Sequence, residues 1–370
     1  MPPVITPYCV DSQPVDGITN VAVPGPTAVG RIPVRWCIGG GWVLPAMPAR
    51  SCSMPGSANS SWVKNPPRGG SVTITFPTLD NGCVPELPEV ESLARWLTAR
   101  AVGRFVTRVE PVAISALKTF DPPVSALQGL EVTGVARHGK FLDVDVSGLH
   151  LVIHLARAGW LRWKDSQPDT LARPGGKNPL AFRVVLDDGS GFDLTEAGTK
   201  KGLAVYVVRS PADVPGVSRL GVDVLSPSFT VDVLGDLLAG RRSQIKGALT
   251  DQSLVAGVGN AYSDEALHAA RMSPFKMAAS LSVDEVAALH AALVSVVAAA
   301  VERSKDLPAG ELKAEKKSGL SVHGRTGQPC PVCGDVVREV SFADKSLQYC
   351  PTCQTGGKPL ADRRLSRLLK

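Results

Sequence analysis

The sequence has no uninterrupted apolar run near the ~18 residues that a membrane-spanning helix needs, and no membrane partner is expected. No Lys or Arg precedes Arg31 and no apolar core follows it, which argues against a secretory leader. No Asp/Glu/His cluster offers a catalytic metal site, so metal-dependent nuclease chemistry fits poorly. Residues 1–83 lack Glu and His altogether and hold one Lys, while Pro and Gly abound, as in Gly39-Gly40-Gly41 and Pro66-Pro67. No helical period is sustained there. These residues read as an unstructured or spurious N-terminal extension.

The chain's 370 residues leave room for two or three domains, and 44% hydrophobic with 20% charged residues is a globular composition. A net charge of +6 has the sign that suits nucleic acid. The eight cysteines form two sets. Cys9, Cys37, Cys52 and Cys83 are irregularly spaced. Cys330, Cys333, Cys350 and Cys353 form C-x2-C-x16-C-x2-C, two knuckles able to aim four thiolates at one zinc ion. A closed four-sulfur shell is structural, and it favours a reducing, cytoplasmic setting.

From Val84 onward the texture changes. Glu86–Arg100 reads as a helix, with prolines near its first turn and Val90, Leu93, Ala94 and Leu97 on one face. Residues 104–213 read mostly as strands, among them Phe105–Val109, Phe141–Val146, Leu149–His154, Phe182–Leu186 and Leu203–Val208. Helices are expected at Val231–Leu238, Arg242–Asp251, from Asn260, and over Ser282–Arg303, with a hairpin between the cysteine pairs. The fold expected is α+β and multidomain: an N-terminal β-sandwich with a flanking helix, a helix-two-turn-helix α domain, and a C-terminal zinc-finger β-hairpin. Its boundaries fall at 84–215, 216–308, 309–357 (linker and zinc finger) and 358–370 (basic tail).

Two segments carry chemistry. Gln252–Asn260 is an apolar hinge with two glycines between helices. Asn260 can cap the second helix, whose free N–H groups suit a phosphate, with Lys246 as a nearby cation. A plain helix–helix turn accounts for the segment equally well. The second segment, Val84-Pro85-Glu86-Leu87-Pro88-Glu89-Val90-Glu91, places a proline beside a carboxylate at a helix start. Proline is an amine nucleophile only as the first residue of a chain.

Pro-Glu-Leu-Pro-Glu-Val-Glu, then His138-Gly139-Lys140, then Gln-x-x-Val-Ala-Gly-x-Gly-Asn with Tyr262 and Asp264-Glu265-Ala266-Leu267, then the finger ending in Cys353-Gln354, resemble in order the formamidopyrimidine-DNA glycosylase and endonuclease VIII family. The resemblance runs from Val84 to about Gly357. It implies a bifunctional base-excision repair enzyme. Pro85 attacks C1′ of a damaged nucleotide as a free amine, Glu86 protonates the sugar or relays protons, and Lys140 holds a phosphate. Asn260 and Lys246 clamp the DNA backbone, and one structural zinc sits on the four late cysteines. The implied partner is double-stranded DNA with damaged bases or abasic sites, bound by a monomer in a bacterial cytoplasm, at the nucleoid when on DNA.

Three positions depart from the family pattern. Arg157 stands where many members carry the Met that fills the gap left by the flipped base. Thr195–Gly202 lacks the arginine and aromatic wedge of members that excise 8-oxoguanine. Lys345 replaces the finger's usual arginine and cannot form its bidentate fork. These changes argue against an 8-oxoguanine preference and leave the lyase groups in place. Val84 occupies the position of the family's initiating Met, which makes Pro85 the expected mature N-terminus. Were Pro85 internal, the alternative would be a non-catalytic damaged-DNA-binding protein.

Overall fold

A computed structural model of the chain describes residues 84–173, 179–342 and 345–361. The expectations for residues 1–83 and for the tail beyond 361 lie outside the described residues. Helix α1 (Leu87–Ala101) opens with Pro88 in its first turn, where a missing N–H costs nothing, and buries Val90, Leu93, Ala94 and Leu97. Eight strands follow: β1 (Val106–Pro111), β2 (Val132–His138), β3 (Phe141–Val146), β4 (Leu149–His154), β5 (Gly159–Lys164), β6 (Leu180–Leu186), β7 (Gly191–Glu196) and β8 (Ala204–Val208). They pair antiparallel into two sheets, ordered β1-β6-β7-β5 and β2-β3-β4-β8. Alternate residues of both, such as Leu142, Val144, Leu151 and Ile153 against Phe182, Val184, Phe192 and Leu194, meet in one core that α1 joins through Leu93 and Leu97.

A second core is helical. It follows the short strand β9 (Val222–Asp223) and is built from α2 (Val231–Leu238), α3 (Ile245–Thr250), α4 (Asn260–Ala269) and α5 (Val283–Arg303), with β10 (Val255–Ala256) pairing parallel to β9. Among the described residues, α5 alone is long and apolar enough to cross a membrane. Its Leu289, Leu293 and Val297 are fully buried in this core, so it is a core helix. Helix α3 is shorter than its apolar pattern suggests. Ser243 and Ile245 instead hydrogen-bond to Ala278 and Lys276 in an extended pairing that holds the preceding residues out of the helix.

The stretch expected to be a linker holds helix α6 (Leu312–Gly319). Ala309 and Leu312 are buried in the sandwich core, and Trp160 Nε1 donates to the Ala309 carbonyl at 2.9 Å. A hairpin of β11 (Arg338–Ser341) and β12 (Ser346–Tyr349) and the short helix α7 (Pro351–Thr355) are the last elements of the described residues.

Helix α1 joins the two large cores of the described residues: Leu87 is buried in the helical core, and Val90, Leu93, Ala94 and Leu97 in the sandwich. Gly257 permits this. Its φ is +93°, and a Cβ there would lie 2.7 Å from Leu87 Cβ. The Leu87 N–H donates to the Gly257 carbonyl at 3.0 Å. Gly257→Ala combines a left-handed backbone with overpacking and should cost about 2–4 kcal/mol, read from denaturant unfolding of wild type and variant. A variant as stable as wild type would contradict this junction.

Candidate active site and zinc module

Glu86 is 1% exposed and sits on the N-terminus of α4. Its Oε2 accepts from the Gly259 N–H at 2.7 Å and the Tyr262 N–H at 3.3 Å, and its Oε1 from the Ala261 N–H at 2.9 Å. A carboxylate from one core thus satisfies the orphan N–H groups and dipole of a helix in the other. Burial alone would raise its pKa. The charges of Lys316 and Lys140 and the Ala261 N–H outweigh burial and hold it below the ordinary carboxylate value. Gly259 makes the approach possible: a Cβ there would stand 2.4 Å from Glu86 Cδ and 2.6 Å from Lys140 Nζ. The N–H groups offered to a phosphate by the sequence pattern are therefore engaged by Glu86. For the same reason Asn260 is not the cap. Gly259 holds the N-cap position, and Asn260 Nδ2 donates to the Ser346 carbonyl at 2.8 Å.

Lys140 lies in the turn between β2 and β3. Burial lowers its pKa, the Glu86 charge opposes this, and Lys316 and Lys345 add to the lowering. His154, at the end of β4, packs at a tilt against Phe141 with 4.6 Å between ring centroids. Burial and the Lys140 charge push its pKa down to about 4.

The residues missed by the sequence reading are Glu89 and Lys316, with the Tyr262 hydroxyl. Lys316 is 2% exposed. Its Nζ donates to Glu89 Oε2 at 2.8 Å and to the Val84 carbonyl at 2.8 Å, and lies 3.9 Å from Glu86 Oε1. Glu89 also accepts from the Glu86 N–H at 2.7 Å and the Tyr262 hydroxyl at 2.7 Å. Lys316 belongs to the run Lys313-Ala-Glu-Lys-Lys317, in which nothing local separates it from solvated lysines. The usable signal is its i+4 spacing from Leu312, which puts both on the buried face of α6.

Of the other expected site residues, Pro85 is buried beside Glu86. Lys246 Nζ is held inside the protein by the Asn260 carbonyl, Ser263 Oγ and Asp264 Oδ1, at 2.9, 2.8 and 2.7 Å. Arg157 and Lys345 are exposed. The turn bearing Arg157 lies against the 197–203 loop: the Ala197 N–H donates to the Ala158 carbonyl at 3.3 Å. Buried Glu196 shapes that loop by accepting from the Gly202 and Leu203 N–H groups at 2.6 and 2.7 Å.

The acid pair of α4 fastens the C-terminal module. Glu265 accepts three backbone N–H groups, from Ser321, Val322 and His323. Asp264 accepts from His323 Nδ1 at 2.8 Å and the Gln348 N–H at 3.1 Å. The Cys330 and Cys353 sulfurs are 3.9 Å apart and those of Cys333 and Cys350 3.3 Å. Zinc–sulfur bonds of about 2.3 Å in a tetrahedron set sulfurs about 3.8 Å apart, so the donor set fits one structural zinc ion. His268 Nε2, on α4, is 3.3 Å from Cys330 Sγ and can donate to that thiolate.

Residues 84–198 match the family described as the formamidopyrimidine-DNA glycosylase N-terminal domain, 220–308 the H2TH domain of that glycosylase, and 327–356 the zinc finger found in FPG and IleRS. An uncharacterized formamidopyrimidine-DNA glycosylase-like protein of Mycobacterium tuberculosis is 60% identical over 159 residues, 43% of this chain and 99% of its own. The formamidopyrimidine-DNA glycosylase of Symbiobacterium thermophilum is 37% identical over 292 residues, 76% of this chain and 93% of that protein. The crystal structure of the MutM (Fpg) protein of Thermus thermophilus is similar with a TM-score of 0.63 at 31% identity, covering 74% of this chain and 100% of that one. The Lactococcus lactis glycosylase, bound non-covalently to DNA containing an abasic site, gives 0.63 at 26% identity, covering 73% and 99%.

Two outcomes follow from the geometry. Between its unfolded pKa near 6.5 and its folded value of about 4, the His154 ring takes up a proton only when the chain unfolds. Stability should fall as pH drops through that window, by up to about 3 kcal/mol, and level off below it. His154→Phe should flatten that segment of the pH–stability curve; an unchanged slope would show that His154 is not buried neutral. His268→Ala should weaken zinc binding roughly 10- to 100-fold in a chelator competition, and equal affinity would exclude a part for the imidazole.

Proposed function

We propose a reaction for this chain, which belongs to the formamidopyrimidine-DNA glycosylase family: removal of a damaged, oxidised base from double-stranded DNA, then cleavage of the strand at the abasic site. It is a base-excision repair DNA glycosylase with abasic-site lyase activity. We place it in the cytoplasm, at the nucleoid when bound to DNA, and acting as a monomer.

The observation that carries the mechanism is Glu86 held anionic on the N-terminus of α4 with Pro85 directly before it and Lys140 beside it. As a free secondary amine, with an α-amino pKa near ~8, Pro85 is substantially neutral at cell pH and attacks C1′. The resulting iminium is an electron sink, so the flanking phosphates can leave by elimination with no redox cofactor. The family match begins at residue 84, which supports Pro85 as the first residue of the active enzyme. Cys330, Cys333, Cys350 and Cys353 hold the zinc that keeps the hairpin folded, and with it Lys345 near Lys140.

Arg157 and Lys345 are the exposed cations offered to DNA. Lys246 and Asn260 shape the hinge, and Lys246, with its three N–H groups engaged, reaches a phosphate only by giving up a present bond. Arg157 beside a loop of small residues and lysines favours lesions that need no aromatic wedge over 8-oxoguanine.

Borohydride trapping on abasic-site duplex tests the reading. Protein beginning at Pro85 should form a covalent adduct, and protein retaining residues 1–84 should not. Equal trapping of both would assign the nucleophile to a lysine. No trapping of either would leave a DNA-binding protein without catalysis.

A further inference from the structure

Among the described residues, the Lys316 ammonium is the donor that touches the acyl group on the Pro85 nitrogen. The Val84 carbonyl carbon is bonded to that nitrogen, and the Val84 oxygen is bonded to that carbon. In the covalent intermediate proposed above, C1′ is bonded to the same nitrogen, and O4′, or the C1′ hydroxyl of an abasic site, is bonded to C1′ as the Val84 oxygen is to its carbon. Lys316 Nζ donates to this oxygen at 2.8 Å. Glu86, by contrast, turns both oxygens onto the N–H groups of α4 and is anionic at rest, so it can accept a proton but holds none to give first.

We propose that Lys316 is a further catalytic residue, the proton donor to the oxygen that departs from C1′ as Pro85 forms its iminium. The inference rests on Pro85 being the nucleophile. On attack, the nitrogen lone pair forms the N–C1′ bond, and the base leaves with its bonding pair and takes a proton from water. The amine's own proton passes to Glu86. The nitrogen pair then forms C=N, the C1′–O4′ pair moves onto O4′, and O4′ takes a proton from Lys316. Glu86 lies 3.9 Å from Lys316 Nζ and returns the proton it holds. At an abasic site the same donor releases the C1′ hydroxyl as water.

A structural role is the competing explanation, since Lys316 also pairs with Glu89 and lies over the Tyr262 ring at 4.7 Å. The groups that face it are Glu86 just before α1, Glu89 from α1, Tyr262 from α4 and Lys140 from the β2–β3 turn, with His323 beyond Glu86. The test is the single-turnover rate of borohydride trapping on abasic-site DNA against pH, using protein that begins at Pro85, with Lys316→Met and Lys316→Arg. General-acid catalysis is worth about 10²- to 10⁴-fold, so Lys316→Met should lose about a hundredfold or more with DNA affinity retained. It should also lose the alkaline fall in rate. Lys316→Arg should recover part of the rate and move that fall upward by more than about one pH unit, because guanidinium holds its proton longer. A Lys316→Met rate equal to that of the parent, or a reduced rate with the alkaline fall in place, overturns the proposal alone. A parent that is not trapped at all overturns the Pro85 reading, and this inference with it.

Discussion

The contact between the Glu86 carboxylate and the N-terminus of α4 is the constraint on which the site depends. A buried carboxylate is costly unless its oxygens are satisfied, and three backbone N–H groups satisfy them here. The contact also joins the two cores, because Glu86 precedes the helix that packs on the sandwich and α4 belongs to the helical bundle. Gly257 and Gly259 follow from it: one lets Leu87 in, the other lets the carboxylate and Lys140 in. Gln252 fixes the hinge between them, accepting from the Gly257 N–H and donating to the Val258 carbonyl.

Around this contact the charges are balanced in a buried site. Glu86 and Glu89 face Lys316 and Lys140. In water such pairs would be worth little, whereas in this burial the Lys316 and Lys140 charges hold Glu86 below the ordinary carboxylate value. With these charges offsetting one another, burial is what disfavours the cationic form of a secondary amine placed here, as the nucleophile proposed for Pro85 requires. The zinc module adds to the same field through Lys345, and α4 fastens it by Asp264, Glu265 and His268.

Much of this was legible in the sequence. The 3.6-residue period of α1, the exact extents of β3, β4 and α2, and the paired cysteines follow from local patterns that the tertiary structure reinforces. The hinge glycines were legible as motif but not as mechanism. Their reason is the side chain of a residue far away in sequence, as in the bond from Gly259 to Glu86, 173 positions apart, and local pattern does not carry that. Asn260 looked like a cap because Asn usually is one, and lost the role to Glu86. Lys316 was hidden for a related reason. A lysine in a basic run reads as solvated, and only the docking of α6 shows that it faces two buried glutamates.

The most direct measurement is a crystal structure of the protein beginning at Pro85, reduced with borohydride on abasic-site DNA. The account predicts a bond from the Pro85 nitrogen to C1′ with Glu86 still accepting the Gly259, Ala261 and Tyr262 N–H groups. A sugar bonded to Lys140 or Lys316 instead, or a Glu86 turned away from α4, would contradict it.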